Sequence, residues 1–289
     1  MDKYRFVDTY LRYHAVGKLC RALGISRSGY YAWKIRKPGK REQSNQQLCR
    51  LILGLHQKYP ALGLDSMYHI LRREHTCSRG RVHRMMKRLH VHSVRKRAFR
   101  NTTNSNHKHP IAPNLLNRDF HANKPGQVWV GDITCIPTAE GWLYLAAVKD
   151  LCTKMVVGYA SSERIDTNLT LEALRMALHR HKPPHGLIFH SDRGVQYAAD
   201  AYREQLRRFH IVQSMSRKGD PYDNAVAENF FSCLKCELVH LTRFDTRSQA
   251  RNAVFSYIEG FYNTIRPHSG IGWLAPKYFA DQLLSVPAA

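Results

Sequence analysis

The sequence predicts two architectures in tandem: a basic, all-helical N-terminal part, then a mixed α/β domain whose sheet is flanked by helices. Charge segregation is the first observation behind this. Residues 1–110 hold 25 Lys and Arg against 5 Asp and Glu, a net of +20, whereas residues 111–289 hold 20 against 17, a net of +3. The second is periodicity, which is helical up to about residue 90 and switches to β-rich runs near residue 127. The third is length, since 289 residues accommodate two ordinary domains. We divide the chain into a short helix-turn-helix segment (1–40), a basic helical domain (41–100), a linker (101–125) and an α/β domain with a helical tail (126–289).

The segment AVGKLCRALGISRSGYYAWKIR predicts two short helices. Val16, Leu19, Cys20 and Leu23 fall at helical spacing, Gly24 ends the first helix and Ser26 caps the second. After the hinge RKPGKRE, three more helices are expected at about 43–58, 65–75 and 79–90. In the last of these, Val82, Met85, Met86 and Leu89 form an apolar stripe, and Arg79, Arg81, Arg84, Lys87 and Arg88 cover the remainder. The basic run continues through Arg95, Lys96 and Arg97. Such density of like charge repels itself unless a polyanion neutralises it, so these side chains are candidate contacts to DNA phosphates. A solvated basic surface is the alternative, and segregation of the charge into one part argues against it.

The polar, proline-punctuated stretch 101–125 predicts a linker. Beyond it, QVWVGDITCIP, WLYLAAVKDL and MVVGYASSE predict an antiparallel meander. A helix (TNLTLEALRMALHRHK), a buried strand (GLIFHSD), a helix (YAADAYREQLRRFH), a strand (IVQSMSR) and a helix follow. The order βββ-α-β-α-β-α implies a mixed sheet.

Three acids stand out by position: Asp132 in the first strand, Asp192 at the end of the fourth, and Glu228 in the helix after the fifth. Strand ends and a covering helix can bring such residues together. Converging carboxylates need a cation, and an oxygen-only ligand set selects Mg²⁺ or Mn²⁺ over Zn²⁺. Each acid also has a bland explanation: a satisfied buried acid for Asp132, a loop acid paired with Arg193 for Asp192, a surface glutamate for Glu228. In GDPYDNAVAENFFSCLKCELVH, Asp220 before Pro221 reads as an N-cap and Asp223 as an acid at N3 suited to the helix dipole. At about 100° per residue, Asn224 and Lys235 lie within roughly 40° of Glu228, and Glu237 lies on the far side. That face joins amide, carboxylate and ammonium, as a metal ligand flanked by DNA contacts would.

The seven cysteines are scattered, which favours reduced thiols. Cys233 and Cys236 form a CxxC inside a helix without two further zinc ligands nearby, so they read as packing thiols. No apolar run approaches the roughly 18 residues that cross a bilayer, and no signal peptide is visible.

WVGDIT, FHSDRGVQY and GDPYDNAVAENFFSCLKCELVH place 59 residues between Asp132 and Asp192 and 35 between Asp192 and Glu228. Together they resemble the D,D(35)E core of retroviral integrases. With LCRALGISRSGYYAWK, RGRVHRMMKRLHV and FYNTIRPHSGIGWLAPKYFA, the whole chain resembles the second-frame transposases of the insertion-sequence-three family. YPALGLDSMYHIL is a looser match. The resemblance implies an RNase H-like catalytic fold, a metal-binding triad of Asp132, Asp192 and Glu228, and a DNA-positioning role for Lys235. His190, Ser191 and Arg193 match the surrounding motif and are expected to support rather than react. It also implies metal-dependent cleavage at the element's ends and joining by 3′-OH attack on a phosphodiester. The partners it implies are double-stranded DNA (terminal inverted repeats and target), further copies of the chain, and an upstream-frame helix-turn-helix/leucine-zipper protein or fusion. A cytoplasmic, nucleoid-associated bacterial protein is the corresponding expectation. A purely hydrolytic nuclease and a DNA-binding regulator without catalysis are the alternatives.

Overall fold

The structure, a computed structural model, describes residues 3–94, 109–217 and 221–285. Arg95, Lys96, Arg97 and Asp220 lie outside these. The chain divides into two compact units, Met1–Leu51 and Ile52–Ala289. This boundary falls within a helix and places the basic segment after residue 52 with the sheet domain.

In the first unit, α1 (Lys3–Tyr10) precedes the expected pair α2 (Val16–Ala22) and α3 (Arg27–Ile35). Gly24 takes the left-handed φ of +62° that the sharp turn requires. Ser26 Oγ accepts from Gly29 N at 3.0 Å, as an N-cap should. Val7, Leu19, Cys20 and Tyr30 form the small core. The helix α4 (Lys40–Lys58) runs across the boundary.

The second unit opens with α5 (Leu64–Leu71) and α6 (Arg79–Arg88). Ser78 caps α6 through Arg81 N; of the predicted stripe Val82, Met85 and Met86 are buried, while Leu89, the C-cap residue, is half-buried. The segment 109–125, read as linker, packs on the sheet domain. Leu116 is buried with Val128, Val130, Leu151 and Ala227, and Phe120 and Ala122 lie against them. Sparse but well-placed apolar residues anchor a segment that lacks periodicity.

The sheet has the order β3-β2-β1-β4-β5. β1 (Val128–Thr138), β2 (Gly141–Asp150) and β3 (Val156–Ser162) form the meander, while β4 (Ile188–Ser191) and β5 (Val212–Met215) run parallel to β1. β1 is thus central, with an antiparallel neighbour on one edge and a parallel one on the other. One face is covered by α7 (Thr167–His181), which buries Leu169, Leu174, Ala177 and Leu178 against Trp129, Val148, Val157 and Phe189. Helix α7 meets β3 at Gly158, where an added Cβ would strike the carbonyl of Ala173 and the backbone of Ala177.

The helix expected over 197–210 is two, α8 (Val195–Ala198) and α9 (Asp200–Arg208), broken where Ala199 is extended at ψ 143°. The helix expected from Asp220 onward begins later. A 3₁₀ turn, Pro221–Asn224, leads into α10 (Ala225–Leu234), which continues as a π-helical turn, Lys235–Val239. The tail comprises α11 (Arg247–Tyr257), opened by a Thr246/Gln249 capping box, a second π turn at Ile258–Tyr262, and α12 (Pro276–Ser285).

Candidate active site

The register of β1 with β4 positions the first two acids. Pairing ends at Gly131↔Ser191, so Asp132 and Asp192 are the next residues on adjacent parallel strands. Neighbouring strands are about 4.8 Å apart, which brings the two carboxylates into one cleft. Ile133, Ile165, Gly194, Gln196 and Tyr197 line that cleft with them. Asp132 Oδ1 accepts from Ile133 N at 2.8 Å, and Asp192 Oδ1 accepts from Gly194 N at 2.9 Å.

Electrostatics record the crowding. Burial pushes the Asp132 carboxyl well above the ordinary range, and the charge of Asp192 pushes it further; Glu228 adds to this and Lys235 opposes it. Glu228, exposed on α10, is raised by partial burial and by Asp192. Asp132 therefore feels both other acids and the lysine. The three are not drawn into a tight cage: among the described residues, no three His, Cys, Asp or Glu side chains are grouped closely enough to hold a metal ion. Asp132 and Asp192 share the cleft, and Glu228 acts on them from the helix above.

His190 ties this arrangement together. It is fully buried, its Nδ1 lies 2.8 Å from Ser214 Oγ and its Nε2 lies 2.8 Å from the carbonyl oxygen of Asp223. Burial lowers its pKa, so the neutral ring joins β4, β5 and the turn before α10. Arg193 Nε donates to Ser216 O at 2.6 Å.

Asp223 does not sit at N3 of the helix. It precedes Asn224, the N-cap of α10, and its carboxylate is buried under Arg217, which donates through Nε and Nη2 at 3.0 Å each and through its backbone N at 2.9 Å. Asn114 Nδ2 donates as well, at 2.9 Å. Hydrogen bonds from Arg217 hold this carboxyl well below the usual carboxylate range. Asn224, expected on the open face beside Glu228, is buried, and its Oδ1 has no partner. The uniform 100° step fails because the chain winds more tightly through the 3₁₀ turn than through the α-helix, rotating Asn224 inward. Lys235 is half-buried at the start of the π turn, and Glu237 faces away, paired with Arg266 at 2.7 Å.

On α6, Arg84, Lys87 and Arg88 are exposed, and Arg81 is half-buried. Arg79 is exposed as well, and its Nε pairs with Asp65 Oδ1 at 2.5 Å. Reasoning from sequence missed Gln196 and Tyr197 in the cleft, although both lie in the FHSDRGVQY motif, and it missed the Asp223–Arg217 lock.

An HTH-like domain family matches residues 43–99, and two integrase core domain families match residues 122–221 and 210–276. The "Insertion element IS600 uncharacterized 31 kDa protein" of Shigella sonnei is 44% identical over 268 residues, covering 91% of this chain and 98% of that protein. "Transposase InsF for insertion sequence IS3A" of Escherichia coli K12 is 37% identical over 289 residues, covering 98% of this chain and 100% of its own. The chain belongs to the insertion-sequence-three (IS3) family of transposases. The transposase thus carries an RNase H-like integrase core behind an HTH-like region. Among solved structures, a chain of the simian T-cell lymphotropic virus intasome in complex with PP2A regulatory subunit B56 gamma is similar at a TM-score of 0.49 and 15% identity. That similarity covers 82% of the transposase and 78% of the viral chain. No described helix of the transposase is long and apolar enough to cross a membrane.

Proposed function

We propose that Asp132, Asp192 and Glu228 are the catalytic acids of the transposase and that together they hold Mg²⁺ or Mn²⁺. The single observation that carries this is the pairing of Asp132 and Asp192 at the ends of adjacent parallel strands, with the charge of Glu228 reaching Asp132. The donor set fits: all three offer carboxylate oxygens, and a buried, mutually repelled pair is the environment that a hard divalent cation stabilises. Such cations would stabilise charge on the attacking and leaving oxygens of a phosphodiester. Glu228 completes the set when α10 approaches the cleft.

The chain's own residues do the positioning. Lys235 offers a phosphate contact beside Glu228, and the His190 and Asp223 locks hold β4 and the start of α10 in place. Water attacks the phosphodiester at the element's end and frees a 3′-OH, which then attacks a second phosphodiester in line. The exposed cations of α6 serve as phosphate contacts to terminal repeat or target DNA, with more than one copy of the chain on the DNA. Catalysis of this kind rests on orientation and charge stabilisation, so loss of one acid removes chemistry and spares binding.

The test is strand transfer by Asp132→Asn and Glu228→Gln on terminal-repeat duplexes with Mg²⁺, including a pre-cleaved end that needs only joining. Loss of product to below about a thousandth, with DNA affinity kept, is expected. Activity retained by either variant sinks the assignment, and cleavage without joining by the native chain favours a nuclease.

A further inference from the structure

The tail holds the π turn at Lys235–Val239 from behind. The Arg266 guanidinium forks onto Glu237, with Nε 3.1 and 3.0 Å from its two oxygens and Nη2 2.7 Å from one of them. Nη2 also donates to Cys233 Sγ at 3.2 Å. One guanidinium reaches both residues, so they share a side of the helix; Lys235, about 200° round from Cys233, lies on the other. The Tyr257 hydroxyl donates to the same carboxylate at 2.8 Å. The Arg266 and Glu237 side chains are only 15% and 8% exposed. Arg266 is itself anchored. Its backbone N donates to Phe261 O at 2.8 Å, and the Asn263 side chain bonds both N and O of Val156 on β3 at 3.0 Å. Packing alone does not fix the turn, because an open cavity of about 450 Å³ lies against Glu237, Leu238, Tyr257 and Phe261. Side chains beside a void lack partners on that side, which leaves the polar clamp to set where the turn stands.

We propose that Arg266 is a positioning residue for strand transfer: through Glu237 and Cys233 it fixes the turn from which Lys235 reaches a phosphate of the element's end. The inference rests on the phosphate contact given to Lys235 above. A buried ion pair is a weak source of stability, since desolvation offsets its attraction, whereas a forked guanidinium fixes direction as well as distance. Lysine presents a point charge on a flexible stem, so the place of its ammonium depends on the place of its backbone. The Lys235 backbone opens the π turn, and its carbonyl accepts from His240 N at 2.8 Å. Contacts to Cys233 and Glu237, on either side of Lys235 in the chain, therefore hold that backbone from both directions. The link runs from β3 through Asn263 and Arg266 to the turn, and from there to the DNA. A shift of about 1 Å in such a contact is enough to slow the chemistry about a hundredfold.

The test is a double-mutant cycle in the full chain, combining Lys235→Ala with Arg266→Lys or with Tyr257→Phe. Affinity for terminal-repeat duplexes is read against salt concentration without metal, and strand transfer is read with Mg²⁺. Arg266→Lys keeps the charge and loses the fork. It should slow strand transfer by about 10–100-fold at saturating DNA. It should also lower the slope of log affinity against log salt by about 0.9, as Lys235→Ala does. Tyr257→Phe, which removes one hydroxyl from Glu237, should slow strand transfer by about two- to tenfold. In the Lys235→Ala background either change should add less than about twofold. A full further loss on top of Lys235→Ala, or an unchanged salt slope in Arg266→Lys, overturns the proposal and leaves the ion pair a structural one. An unchanged slope in Lys235→Ala instead overturns the phosphate contact itself, and the proposal with it. Tyr257→Phe decides the matter even where Arg266→Lys fails to fold.

Discussion

Asp132 and Asp223 show opposite uses of a buried carboxylate. Asp223 is paid in full by Arg217 and Asn114, so it stabilises the fold. Its folded pKa is depressed, so its stabilising effect is complete above the unfolded value of about 4 and is lost as pH falls toward the folded value. Asp223→Asn is therefore expected to cost on the order of 2 kcal/mol at neutral pH and to flatten the acid limb of stability below about pH 4, as seen in urea melts across pH. Asp132 instead sits against another acid in a buried site. Asp132→Asn should raise the melting temperature in metal-free buffer while destroying strand transfer; a lower melting temperature would show that the carboxylate is structurally satisfied after all. Sequence spacing made Asp132 and Asp192 legible, because an acid inside an apolar strand needs a reason. The role of Asp223 was hidden, since Arg217, just before it in the chain, folds back on it and Asn114 reaches it from a distant segment.

At the level of elements, α6 was readable almost in full: its cap, its buried stripe and its cationic face follow from ten residues. What the sequence could not show was the capture of Arg79 by Asp65, a contact made across the α5–α6 turn. Arg84 and Lys87 remain exposed, so substituting each by alanine should weaken DNA binding similarly on all sequences. Each loss should also lower the slope of log affinity against log salt by about 0.9, leaving the melting temperature unchanged. At the α7–β3 contact the helix backbone lies directly on the strand. Gly158→Ala should cost about 1–3 kcal/mol by overpacking, measured by thermal unfolding. The tight winding at Pro221–Asn224 and the π turn were invisible to a rule that assigns every residue the same rotation.

Across the whole molecule, segregation of charge was plain in the sequence, whereas the extent of the core unit was not. Residues 52–94 belong with the sheet domain because aromatic contacts join segments far apart in the chain. Tyr59 stacks on Phe261 at 4.1 Å, and His69 stacks on Trp273 at 4.6 Å. Neither partner is identifiable from local periodicity. Substituting Trp273 by alanine should raise hydrogen exchange in α5 and α6 while leaving β1 and β4 protected; uniform exchange throughout the unit would argue against a separable contact.

The π turn at Lys235–Val239 has an implication beyond this chain. A π turn accommodates one residue more than an α-helical turn, so it shifts everything after it by one residue relative to a continuous α-helix. Relatives with an unbroken α-helix there should be one residue shorter between their counterparts of Glu228 and Arg266. An alignment that forbids gaps within helices would then mismatch everything downstream, starting with the partner of Glu237.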